Sequence, residues 1–114
     1  MECEFPTVNS KSEEIIEIFK NTKTIAIAGL SPDASKASNM VAVYLQSAGF
    51  KIIPVYPKED TILGEKVYRN ISEIPFKIDM VDIFRKPDAI AEIIDEAIAR
   101  GDVDTVWTQL GLVN

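Results

Sequence analysis

This chain of 114 residues has no histidine and one cysteine, Cys3. Without histidine it can build no Ser-His-Asp triad, no imidazole general base and no His metal ligand. One cysteine makes no internal disulfide, no CxxC redox pair and no thiolate zinc site, and its scarcity fits a reducing compartment. Positive charge is also sparse: 12 Lys and Arg stand against 18 Asp and Glu, a formal net charge of -6. That balance gives no support to nucleic-acid binding, which relies on a basic face. No apolar run nears the ~20 residues that cross a bilayer. The N-terminal segment carries Glu2, Glu4, Glu13, Glu14 and Glu17, unlike a secretory signal. The expectation is a cytoplasmic protein with no membrane or nucleic-acid partner. The chemistry left to it is carboxylate, Lys, Arg, Ser and backbone, which suits binding more than covalent catalysis, so no catalytic residue and no metal ligand is assigned.

What is present is a chain 46% hydrophobic, enough for one domain around one core. Residues 1–9 read as an extension and residues 10–114 as the domain. Ser10 or Ser12 can cap a helix running to Lys20, and Ser10 has Glu13 at capping-box spacing. Thr24–Ala28 is an apolar strand ended by Gly29. A polar loop leads to a helix over Ser38–Ala48, with Met40, Val41, Tyr44, Leu45 and Ala48 at helical spacing and Gly49 as its cap. Phe50–Tyr56 is a second strand, with Pro54 toward its end because proline lacks a ladder donor. Lys66–Tyr68 reads as a short edge strand, Ile71–Ile74 as a helical turn, and Asp79–Phe84 and Val103–Thr108 as two further strands. Between these last two, Pro87 opens a helix with a stripe of Ile90, Ile93, Ile94, Ala97 and Ile98, closed by Arg100 and Gly101. Strands alternating with helices predict a parallel α/β sheet, covered by helices on both faces, of strand order 3-2-1-4-5.

Ligands of such sheets bind beyond the carboxyl ends of the strands, where the order reverses. Gly29 there either lets a ligand approach the backbone or only turns the chain. The segment Gly29-Leu30-Ser31-Pro32-Asp33-Ala34 is neither the dinucleotide fingerprint nor a Walker A loop. Free N–H groups at the following helix start would suit an anion. Ser31 can donate to phosphate, and Ser38 can cap the helix, contact ligand or both. Lys36 can reach a diphosphate or stay solvated. Lys58, after Tyr56 and Pro57, stands where a ribose-binding carboxylate would serve plain NAD; its charge either favours an additional ribose phosphate or only solubilises the loop. Arg85 can meet a phosphate or pair with Asp82 or a Glu. Trp107 reads as core, and Asp102 with Asp104 as a solvated turn.

The ordered segments Ile25–Pro32, Ser38 with Val41, Tyr44, Leu45 and Gly49, Ile53–Lys58, Leu63–Tyr68, Ile74-Pro75, Val81–Pro87 and Val106–Gly111 give the chain a specific likeness. It resembles the small stand-alone CoA-binding domain proteins, whose Rossmann-like fold is shared by the CoA-binding domain of succinyl-CoA synthetase alpha subunits. The resemblance implies non-catalytic binding of coenzyme A or an acyl-CoA. It implies that Gly29, Ser31 and the Ser38 helix start surround the diphosphate, and that Pro57 and Lys58 border the adenosine and its ribose phosphate; Pro32, Lys36 and Tyr56 complete the candidate cofactor-binding set. Phe84, Arg85 and Pro87 would line the path to adenine or pantetheine, and Gln109 and Gly111 would lie nearer the thiol arm. Tyr56 departs from the usual Asn, and the family's C-terminal helix and last strand are absent. The unfinished edge admits a second copy or a protein partner. The alternatives are an NAD(P)-binding oxidoreductase fragment and a structural or regulatory protein with a degenerate nucleotide pocket.

Overall fold

The computed structural model describes residues 20–108. The expected N-terminal helix lies outside them apart from Lys20, which is helical. The elements are β1 (Thr24–Ala28), α1 (Ala37–Ser47), β2 (Lys51–Val55), β3 (Thr61–Ile62), β4 (Glu65–Lys66), a 3-10 turn (Ile71–Glu73), β5 (Met80–Ile83), α2 (Pro87–Arg100) and β6 (Thr105–Thr108). Four strands form a parallel sheet in the order β2-β1-β5-β6. This is the Rossmann-like arrangement the alternation predicts, with β1 in the centre and right for a ligand cleft above its carboxyl end.

The third strand is corrected. Glu65 and Lys66 pair antiparallel with Thr61 and Ile62 in a separate hairpin, and beside β2 only Tyr68 forms a parallel bridge, to Val55. There the Tyr68 N–H donates to the Pro54 carbonyl and the Tyr56 N–H to the Tyr68 carbonyl, each at 3.0 Å. Pro54 therefore turns its missing donor toward this sparse outer side, while the neighbouring Val55 carbonyl serves β1 by accepting from Gly29 N–H at 2.8 Å. Pro54 is the penultimate residue of β2, toward the strand end as expected, and this orientation leaves the pairing with β1 intact.

Side-chain alternation along the strands sorts the core into two layers. Ile25, Ile27, Ile52, Met80 and Trp107 pack with Ala42 and Leu45 of α1. Ala26, Ile53, Val81, Ile83 and Val106 pack with Ile90 and Ala97 of α2. Pro87 takes the first helical position of α2, and Gly101 closes it in the left-handed region at φ 78°. Trp107 is buried, as its apolar neighbours suggest.

The turn at Asp102 and Asp104 is not simply solvated. Lys77 Nζ lies 2.7 Å from Asp79 and 3.1 Å from Asp104. Asp102 pairs with Arg100, whose side chain is only 12% exposed, at 2.8 Å. The Arg100 guanidinium, followed by the N–H of Ile78, outweighs burial and holds the Asp102 carboxyl below the usual range. Burial pushes the Asp79 carboxyl up, but Lys77 and the N–H groups of Thr24 and Lys23 together bring it below its ordinary value. Both groups are thus more acidic folded than unfolded. Their contribution is complete above the ordinary Asp value of 3.8 and is lost as pH falls through the lower folded values. Acid titration of stability should therefore show a loss setting in below about pH 4, and Asp79→Asn should flatten that slope while lowering stability at neutral pH. An unchanged slope in the variant would refute the assignment.

Candidate functional site

Above the carboxyl end of β1, the β1–α1 loop and the β5–α2 loop part to leave an open cleft of about 640 Å³. It is lined by Gly29, Ser31 and Lys36 from the first loop, Tyr56 and Pro57 beyond β2, and Phe84, Arg85 and Lys86 from the second. The first turns of α2 complete it with Asp88, Ala89 and Glu92. A smaller cavity of about 270 Å³ shares Gly29, Tyr56, Pro57 and Arg85 and extends between β2 and α2 toward Arg69 and Glu96. Seven of the candidates read from the sequence thus face one cleft: Gly29, Ser31, Lys36, Tyr56, Pro57, Phe84 and Arg85.

Four do not line it. Pro32 is exposed on the outer side of its loop and Pro87 on the start of α2. Lys58 is exposed beyond Pro57, with its carbonyl accepting from Arg69. Ser38 is fully buried beneath the loop, where its Oγ accepts from the Ser31 N–H at 3.0 Å. Its role is to hold the loop onto α1, and neither it nor Lys36 caps α1 from the side chain. Gln109 and Gly111 lie outside the described residues. Lys86, Asp88, Ala89 and Glu92 join the site only in the structure, although the spacing 88-89-92 places the last three on one helical face.

Most amides of the loop ahead of α1 are bonded within the chain. Gly29 N–H reaches Val55, Ser31 N–H reaches Ser38, and Asp33 N–H reaches the Ser31 hydroxyl at 3.1 Å. Ser35 N–H and its hydroxyl both donate to Asp33, holding that carboxyl below its ordinary value, and Lys36 N–H bonds the Asp33 carbonyl. Asn39, buried under the turn, donates its amide to the Ser31 carbonyl at 2.9 Å. Short polar side chains close on their own backbone in this way because the Asx and Ser turns cost little entropy. The loop is therefore tied to itself and to α1 by its own side chains. What it offers an anion is the proton of the Ser31 hydroxyl, whose oxygen already accepts, and the Lys36 ammonium.

Gly29 serves packing as well as the cleft. Its φ is 86°, and a Cβ there would press into the Phe84 carbonyl oxygen and lie 2.9 Å from Arg85 Cδ. The two loops touch at this point, so the cleft floor closes only over a residue without a side chain. Across the opening, Lys36, Arg85 and Lys86 stand within ion-pair distance of no carboxylate among the described residues. Three cations thus share the cleft with the carboxylates of Asp88 and Glu92 in a chain of net charge -6.

The sequence matches the CoA binding domain over residues 23–114. The chain belongs to this CoA-binding domain family. Within it, the chain is 39% identical over 106 residues to the uncharacterised protein YneT of Bacillus subtilis, covering 93% of this chain and 78% of YneT. A hypothetical protein from Pyrococcus horikoshii OT3 superposes with a TM-score of 0.80 at 35% identity, covering 88% of this chain and 74% of that one. An ADP-forming acetate–CoA ligase of Archaeoglobus fulgidus is 33% identical over 81 residues, which is 69% of this chain but 12% of the ligase. The family therefore includes small proteins of this size and segments of much longer ligases. Among the described residues, no helix is long and apolar enough to cross a membrane.

Proposed function

We propose that this protein binds coenzyme A or an acyl-CoA reversibly and carries out no chemistry on it. The observation that carries this reading is the set of cations Lys36, Arg85 and Lys86, unpaired among the described residues, around the cleft above β1 in a CoA-binding domain. On this reading the diphosphate lies between the Ser31 hydroxyl, Lys36 and Arg85. Lys58 meets the ribose phosphate, Pro57 and Tyr56 border the adenosine, and Phe84 backs the path of the pantetheine arm. The longer ligases that share the domain carry far more chain, so their reaction is not transferred to this protein.

Titration calorimetry with CoA, NADP and ATP tests the reading. CoA should bind, and saturating it at about 100 times Kd should raise stability by about 2.7 kcal/mol. Reversing charge with Lys36→Glu or Arg85→Glu should weaken CoA by about tenfold or more, the loss of one charge-assisted hydrogen bond. Binding of NADP without CoA would replace the reading with a nicotinamide cofactor site. Binding of none of them would mean a pocket that no longer takes nucleotides.

A further inference from the structure

We infer that Arg69 is a positioning residue of the cleft, holding the loop after β2 in the shape that forms one wall. This rests on the CoA reading above. Nothing in the sequence singles Arg69 out, since it follows the edge residue Tyr68 in a polar stretch. In the structure its Nη1 donates to the carbonyls of Tyr56 at 3.0 Å, Lys58 at 3.0 Å and Glu59 at 2.9 Å. Two protons serve these three oxygens, so at least one is shared. One guanidinium thus gathers consecutive turns of the loop onto a single nitrogen.

The loop needs such a fastening. Glu59 has φ 68°, a region that residues with a Cβ rarely adopt, and such conformations persist only where neighbours over-determine them. Arg69 is itself anchored from behind. Its N–H donates to Glu73 Oε1 at 2.9 Å, and the preceding Tyr68 is bridged to β2. Its contact to Asp60, 3.7 Å from a fully exposed carboxylate, adds little. The far end of the loop carries Tyr56 and Pro57, which line both the main cleft and the smaller cavity, and Arg69 lines the latter. The guanidinium is therefore a bracket between the sheet edge and the cleft wall. Removing it should leave the fold intact, because the side chain is 44% exposed and buries no core group. The loop alone should loosen.

The test compares the full-length wild type with Arg69→Ala and Arg69→Lys in two measurements. The first is CoA affinity by calorimetry. The second is the rate at which a glutamate-specific protease cuts after Glu59 in the native protein. If the released loop is closed in only about a tenth of molecules, CoA binds about tenfold more weakly. Cleavage after Glu59 should accelerate by a similar factor, with an unchanged thermal midpoint. Arg69→Lys, whose ammonium can enter the same carbonyl cage, should recover most of both. Unchanged affinity in Arg69→Ala, whatever the cleavage rate, overturns the positioning role. If the wild type itself fails to bind CoA, the proposed function fails, and the bracket is judged by cleavage alone: faster cutting upholds it, and an unchanged rate overturns it.

Discussion

Gly29→Ala should cost the fold about 2–5 kcal/mol, the sum of a left-handed backbone forced on a residue with a Cβ and an overpacked contact. Urea unfolding measures it. Gly64→Ala supplies the comparison, because Gly64 has φ 79° but nothing within 4 Å of where its Cβ would stand. That variant should lose only the conformational part, about 1–2 kcal/mol. The excess in Gly29→Ala is the collision with the Phe84 carbonyl and the Arg85 side chain. Equal losses in the two variants would show that the loops do not meet as tightly as the structure has them. The same substitution should spread the floor of the cleft, so any molecules that remain folded should bind CoA poorly.

Arg100→Ala should also be damaging, by about 1–3 kcal/mol, for a different reason. The guanidinium donates to the carbonyls of Ile71 and Ile74 at 2.8 and 2.7 Å and of Phe76 at 2.7 Å. It also holds both carboxylate oxygens of Asp102, at 3.0 and 2.8 Å. Truncation leaves a half-buried carboxylate and three carbonyls without their donor. Arg100→Lys should recover little, since one ammonium cannot reproduce a planar fork. Arg100 ends α2 at the opposite end from the helix start that lines the cleft. Calorimetry on the folded fraction should therefore find CoA affinity unchanged, which separates a loss of stability from a loss of site. An Arg100→Ala protein as stable as wild type would mean that water replaces the guanidinium at those carbonyls.

Much of this architecture is legible in the residues themselves. The run Thr24–Ala28, the helical stripe from Ile90 to Ile98, Pro87 at a helix start and Gly101 at its end are local signals, and each element forms where they point. Their alternation requires a parallel sheet with β1 inside it, and so locates a cleft above Gly29. The third strand misleads because Lys66–Tyr68 has strand-like composition, whereas its pairing depends on the Thr61–Ile62 segment that folds back on it. Ser38 is ambiguous for a related reason. A serine at a helix start reads as a cap, yet this one is buried and spends its oxygen on the Ser31 amide seven positions back.

The class of fold and the position of the loops above β1 follow from the order of the residues, because periodicity and turn residues act over a few neighbours, and the family follows from the ordered segments the chain shares with it. Which polar groups meet follows from the folded chain alone. Arg69 carries no signal in the sequence and Arg100 reads only as the close of a helix, yet one donates to three carbonyls of a loop and the other fastens a helix end to a distant turn. Hydrogen bonds to backbone carbonyls carry no side-chain signature at the accepting residue. Nothing in Tyr56, Lys58, Ile71 or Ile74 as amino acids announces that its carbonyl is taken, and only the path of the folded chain brings donor and acceptor within reach.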